Sequence, residues 1–185
     1  MYNPTDPAQD AAATNPESKD TSALTTLYNW PEQGKGKWRI QDDVVMGGRS
    51  DSHFEMTDDG HGRFYGKVSL ENNGGFCSVQ RTNEDDPFVV KGKSVFSVQV
   101  KGDGKNYNFR VRTPNGRHAY AFTFFAKPGQ WETVMIPFAA MEGTYRGRDV
   151  DVPNYAGEDI TEIQILIGNG RAESFELLLK DISVM

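Results

Sequence analysis

Residues 107–112 alternate between two chemistries: Tyr107, Phe109 and Val111 are apolar, while Asn108, Arg110 and Arg112 are polar. Successive side chains on a strand point to opposite faces, so such a run has one face to bury and one to wet. The same period of two recurs along most of the chain. Phe64, Gly66, Val68 and Leu70 share one expected face against Tyr65, Lys67 and Ser69, and Phe96, Val98 and Val100 alternate with Ser97 and Gln99. Tyr120, Phe122 and Phe124 follow, then Val134, Ile136 and Phe138 after Trp131, with Pro137 marking a strand end or a sheet edge. Ile163, Ile165 and Ile167, and then Phe175, Leu177 and Leu179, complete the series. Turn chemistry separates the runs at Asp58-Asp59-Gly60, Gly102-Asp103-Gly104, Pro114-Asn115-Gly116, Lys127-Pro128-Gly129 and Gly168-Asn169-Gly170.

A half-buried strand must be covered by another layer, and no amphipathic stretch longer than a turn or two supplies a helix to do it. A parallel sheet would also need helical crossovers that the short polar connections cannot provide. The pattern therefore predicts an all-β fold, an antiparallel β-sandwich or jelly roll of at least seven strands. Residues 1–26 differ: after Met1 their one large aliphatic residue is Leu24, and the rest is mainly Ala, Asp, Asn, Pro, Ser and Thr. Such a stretch cannot bury enough apolar surface to offset its ordering entropy, so it is expected as a disordered tail before one domain over 27–185.

Charge narrows the partners. With 20 Lys+Arg against 26 Asp+Glu, the net charge of −6 opposes a general affinity for nucleic acid, which rests on neutralising phosphates. A local basic patch could draw on Arg110, Arg112, Arg117, Arg146 and Arg148. The single Cys77 excludes an internal disulfide and any multi-cysteine metal site. No run approaches the ~20 apolar residues of a membrane span. The first twenty-odd residues lack the features of a signal peptide, and their acids do not suit a mitochondrial presequence, so a cytoplasmic location is expected.

Two segments carry more than generic strand and turn chemistry. They are Trp38-Arg39-Ile40-Gln41-Asp42-Asp43-Val44-Val45-Met46-Gly47-Gly48-Arg49-Ser50 and Ser69-Leu70-Glu71-Asn72-Asn73-Gly74-Gly75-Phe76-Cys77-Ser78-Val79. With Phe64-x-Gly66, Gly102-Asp103-Gly104 before Tyr107, Trp131, Pro137-Phe138 and Tyr145-Arg146-Gly147-Arg148, the chain resembles the complex I intermediate-associated protein 30 family over about residues 27–185. The resemblance implies a galactose-binding-domain-like jelly roll, similar to carbohydrate-binding modules. It also implies a role in assembling respiratory complex I through binding and not catalysis. The expected partner is a protein, such as a respiratory-complex subunit or assembly intermediate, with a glycan as the alternative.

Each candidate residue has a structural and a functional reading. Gly47, Gly48, Gly74 and Gly75 suit either positive-φ turns or close approach of backbone N–H groups to a ligand. Asp42 and Asp43 precede the apolar Val44-Val45-Met46, so at least one carboxylate is expected to be buried and therefore paired. A hydrogen-bonded clasp to the Asn72-Asn73-Gly74-Gly75 turn would do this, as would an ion pair with Arg49. Calcium, a structural ion in sandwiches of the kind the resemblance implies, is a third option; no cofactor is otherwise expected. Asn72 and Asn73 fit sugar hydroxyls or plain turn chemistry. Asn108, Arg110 and Arg112 share a polar strand face to which a neighbouring strand could add Tyr120 or His118, giving a contact surface for protein or glycan. His53, His61 and His118 show no metal-ligand spacing, no nucleophile elbow is present, and Cys77 reads as a small core thiol. No catalytic residue is assigned.

Overall fold

The computed structural model describes residues 23–185. Thirteen strands follow in chain order: β1 Thr25–Asn29, β2 Arg39–Ile40, β3 Asp51–Met56, β4 Gly62–Val68, β5 Cys77–Thr82, β6 Val95–Lys101, β7 Lys105–Arg112, β8 Ala119–Ala126, β9 Trp131–Pro137, β10 Glu142–Tyr145, β11 Arg148–Asp149, β12 Glu162–Ile167 and β13 Glu173–Val184. They form two antiparallel sheets. One has the order β3-β4-β13-β6-β9, with β1 also on β13, and the other has the order β11-β10-β8-β7-β12-β5-β2. This is the expected all-β sandwich. Among the described residues, helical structure is limited to one turn at Trp30–Gln33 and three 3-10 turns at Asp43–Met46, Glu71–Asn73 and Phe138–Ala140.

The alternating residues meet between the sheets. Phe64, Val68, Phe96, Val98, Val100, Leu177 and Leu179 from the first sheet and Tyr107, Phe109, Val111, Ile163, Ile165 and Ile167 from the second are all buried. Phe96 lies 5.1 Å from Phe109 across the layers, and Phe64 lies 4.8 Å from Phe175. Truncating such an aromatic to alanine costs about 3–5 kcal/mol through lost transfer energy and the cavity left behind. Tyr28, Trp30, Trp38 and Phe54 extend the core at one end, with Trp30 and Trp38 5.0 Å apart.

Two expectations need correction. Leu70 does not continue the buried face of β4; that strand ends at Val68, and Leu70 enters the Glu71–Asn73 turn with 47% of its surface exposed. The tail was expected to reach residue 26, yet Thr25 and Thr26 pair with Val184 and Ser183 in β13. A polar segment enters a sheet when a neighbouring edge can take its backbone hydrogen bonds, a tertiary circumstance that composition does not register. Residues 1–22 of the expected tail lie outside the described residues.

Candidate functional site

The two motif segments meet at one edge of the sandwich. Asp43 is 2% exposed, and its carboxylate accepts four hydrogen bonds: from Ser50 N at 3.0 Å, Ser50 Oγ at 2.6 Å, Gly75 N at 2.6 Å and Phe76 N at 3.2 Å. Asp42 beside it accepts from Ser52 N at 2.9 Å, Ser52 Oγ at 2.7 Å and Ser78 N at 3.3 Å. One aspartate thus ties the 3-10 turn to the start of β3 and the turn before β5, while the other ties it to β3 and β5 themselves. Arg49 pairs at the surface with Glu71, 3.5 Å away, and not with either aspartate.

The glycines explain how the chain comes so close. Gly47 has φ +90° and donates to Val44 O, and Gly75 has φ +147°, both backbone states that L side chains rarely adopt. Gly48 and Gly74 are not at positive φ, but a Cβ there would lie 2.2 Å from Asp43 Oδ1 and 2.6 Å from Asp43 Oδ2. Asn72 and Asn73 sit exposed at φ 56° and 59°, the left-handed conformation that asparagine tolerates best among non-glycine residues.

The two carboxylates are electrostatically unlike. Burial raises the pKa of Asp43, but the bonds from Ser50, Gly75 and Phe76 outweigh it and hold the group below the usual carboxylate value. For Asp42 burial outweighs the bonds from Ser52 and Ser78, with the Asp43 charge adding to it, so its pKa is raised. Carboxylate oxygens aimed at N–H and O–H donors form a capped anion, and that donor set does not fit calcium. Among the described residues no three His, Cys, Asp or Glu side chains converge on a metal position. Cys77, the first residue of β5, is fully buried; burial and then the Asp42 charge push its thiol up to about 12.

The other candidates lie on the outer face of the seven-stranded sheet. Pairing places Arg39, Gln80, Gln164, Arg110, Ala121 and Glu142 in one row across β2, β5, β12, β7, β8 and β10. Gln164 Nε2 donates to Gln80 Oε1 at 3.2 Å and to Ser78 Oγ at 3.1 Å, so the amides form a linked strip. Arg110 is half-buried, its Nε donates to Asn108 Oδ1, and no carboxylate among the described residues forms an ion pair with it. Burial and the neighbouring Arg112 lower its pKa, yet a guanidinium stays charged at neutral pH. Arg112, by contrast, faces Glu162 at 3.4 Å. Beside Arg110 lies an open groove of about 370 Å³, bounded by Asn108, Ala121, Thr123, Glu142, Thr144 and Asp149.

Tyr120 does not belong to this face. It pairs with Val111, one residue out of phase with Arg110, and is buried with its ring 5.1 Å from Tyr155. The alternation of Tyr120 with Phe122 and Phe124 already places this ring on the apolar face of β8, and the pairing with Val111 turns that face inward. The serines of the clasp and the pair Gln80 and Gln164 were not singled out from the sequence. The alternation of Ile163, Ile165 and Ile167 already turns Gln164 outward, but nothing local announces that it meets Gln80.

The solved structures similar to this chain share its fold. A family 11 carbohydrate-binding module from Clostridium thermocellum matches with a TM-score of 0.64 at 15% identity, covering 88% of this chain and 95% of that one. The agarase AgWH50C matches with a TM-score of 0.57 at 10% identity, over 88% of this chain but 24% of the agarase chain. An uncharacterized protein of Schizosaccharomyces pombe is 30% identical over 175 residues, 83% of this chain and 78% of that protein. The mitochondrial complex I intermediate-associated protein 30 of Neurospora crassa is 29% identical over 109 residues, 49% of this chain and 39% of that protein. Among the described residues no helix is long and apolar enough to cross a membrane. The family model for complex I intermediate-associated protein 30 matches residues 29–179, which takes in both clasp segments and the whole polar row, and the chain belongs to that family.

Proposed function

We propose that the chain is a non-enzymatic protein-binding module for the assembly of a respiratory complex, engaging its partner through the outer face of the seven-stranded sheet around Arg110. The observation that carries this reading is the half-buried Arg110 guanidinium, held in orientation by Asn108 and bordering a groove, with no ion-pair partner among the described residues although Glu142 and Asp149 lie on the groove's far side. Such a group is prepared for a carboxylate or backbone carbonyl from outside, and orienting it in advance lowers the entropy lost on binding. Family membership and the name of the Neurospora relative support a protein of a respiratory assembly intermediate as that partner. The thiol of Cys77, buried and poorly ionised, supports a role without covalent chemistry.

A glycan is the alternative occupant of the same face, in line with the fold shared with carbohydrate-binding modules. Against it, the register places one aromatic ring outward on β5, β7, β8 and β12, Phe125 at the rim, so the centre offers no flat platform for a sugar ring. The test is affinity purification of the full chain from its native source, repeated with Arg110→Ala. The expected result is a retained respiratory-complex protein whose recovery falls at least about tenfold in the variant, with the unfolding midpoint nearly unchanged. A specific hit on a glycan array with no retained protein would establish the alternative, and binding indifferent to Arg110 would refute the placement.

A further inference from the structure

The end of β7, the start of β8 and the run before β12 are brought together by strand pairing. Val111 lies opposite Tyr120, and Thr161 N donates to Arg112 O at 2.8 Å. A hollow of about 390 Å³ opens there, within the size range of sites that hold ligands. The Pro114-Asn115-Gly116 turn lines it together with His118, Tyr120, Glu158 and Asp159, whereas Arg110 does not border it.

Tyr120 is 9% exposed, and its hydroxyl has no hydrogen-bond partner among the described residues. A buried tyrosine hydroxyl ordinarily finds one. The ring itself is occupied, 5.1 Å from Tyr155 and 4.9 Å from His118, so the hydroxyl is what this residue offers the hollow. Burial and then the Glu158 charge raise the pKa of that hydroxyl, which sets the carboxylate close to it. Both acids are fixed in place: the Tyr155 hydroxyl donates to Glu158 O, and Asp159 Oδ1 accepts from Val90 N at 3.2 Å. Neither carboxylate forms an ion pair among the described residues. Of the basic residues flanking the turn, Arg112 faces Glu162 at 3.4 Å and Arg117 does not line the hollow. Glu84 adds a further negative charge in an adjoining hollow that shares Thr113, Pro114 and Gly116.

We infer that this hollow receives a lysine side chain carried by a partner protein. An ammonium group has three donors and no acceptor, and the hollow offers it the Tyr120 oxygen and two carboxylates without a counter-charge. Three separate acceptors suit a compact ammonium better than the planar fork of a guanidinium. The methylene stem can lie along the apolar surface of Pro114 and His118 while the head reaches the acids. Asn115, exposed on the turn, carries an amide that can bond the main chain of the partner. Other occupants fit less well. An anion is repelled by Glu84, Glu158 and Asp159, and a sugar ring would need an open aromatic face that Tyr120 does not have.

The inference does not rest on the Arg110 reading, since the two sites have no lining residue in common. It is tested by titrating the isotopically labelled full chain with a Gly-Gly-Lys-Gly-Gly peptide blocked at both ends, following backbone amide resonances. Signals of Asn115, Gly116, Tyr120 and Asp159 should shift and saturate, with a Kd of about a millimolar. Norleucine in place of the lysine should weaken binding at least about tenfold, and Glu158→Gln at least about fivefold. Tyr120→Phe should weaken it at least about threefold with the unfolding midpoint nearly unchanged, because the lost hydroxyl has no internal partner. Butylammonium chloride, the same head and stem without a peptide, should bind at least about fivefold more weakly than the peptide. Arg110→Ala should leave the titration as it is, so failure at one site is distinguishable from failure at the other. No saturable shift at these amides, equal binding of the norleucine peptide, or indifference to Glu158→Gln overturns the proposal. Butylammonium binding as tightly as the peptide overturns its assignment to a protein side chain.

Discussion

Asp43→Ala tests whether the clasp stabilises the sandwich or merely decorates its edge. The carboxylate satisfies three main-chain N–H groups and one hydroxyl. Ser50 Oγ has a second acceptor at hand, Ser69 O at 3.3 Å, so the hydroxyl loses little. The Ser50 amide is buried and cannot be reached by water without rearrangement, whereas Gly75 and Phe76 are partly open to solvent. An unsatisfied buried amide costs about 1–3 kcal/mol, and partial hydration reduces the cost for the other two, so the sum comes to about 3–4 kcal/mol. For a domain of this size that lowers the thermal midpoint by about 10 °C. Asp43→Asn should recover little of it, because either amide orientation sets an NH2 against backbone N–H donors. Urea unfolding at neutral pH measures the difference, with the denaturant slope checked for constancy. A loss under about 1 kcal/mol for the alanine variant, or full recovery by asparagine, would refute the reasoning.

The same site makes a pH prediction. Because the folded pKa of Asp43 is lowered, its contribution is fully present above the unfolded value of about 3.9 and is lost as pH falls through the folded value, so Asp43→Ala should lack that part of the acid-side loss. Asp42 has the opposite sign: its raised pKa lowers stability as pH rises from about 3.9 through the folded value, so the stability of Asp42→Asn relative to wild type should improve over that interval in pH-dependent urea titrations. Gly48→Ala, whose Cβ would meet Asp43 Oδ1 at 2.2 Å, should cost more in the same assay than Gly47→Ala, where φ is +90° but the space is open and the cost is about 1 kcal/mol. Cys77 should resist a thiol reagent in the native state and react only at the rate of unfolding, and prompt native labelling would contradict its burial.

Periodicity alone determined the layers of this protein. Alternation in β4, β6, β7, β12 and β13 sorted Phe64, Val98, Phe109, Ile165 and Leu177 onto buried faces, because hydrophobic burial acts on each strand through its own period of two. Local chemistry also marked Asp42-Asp43 and Asn72-Asn73-Gly74-Gly75 as segments in need of special backbone or of partners for a charge. What no local pattern contains is register and edge. Alternation within β8 already set Tyr120 with Phe122 and Phe124, but only the pairing of the strands puts Gln164 and Ala121 beside Arg110. Thr25 and Thr26 became strand because the end of β13 offered them a free edge. The partners of Asp43 are likewise 7, 32 and 33 residues away in the chain. Backbone hydrogen bonds and carboxylate acceptors are indifferent to sequence separation, so their partners were decided only when the two sheets closed on the core.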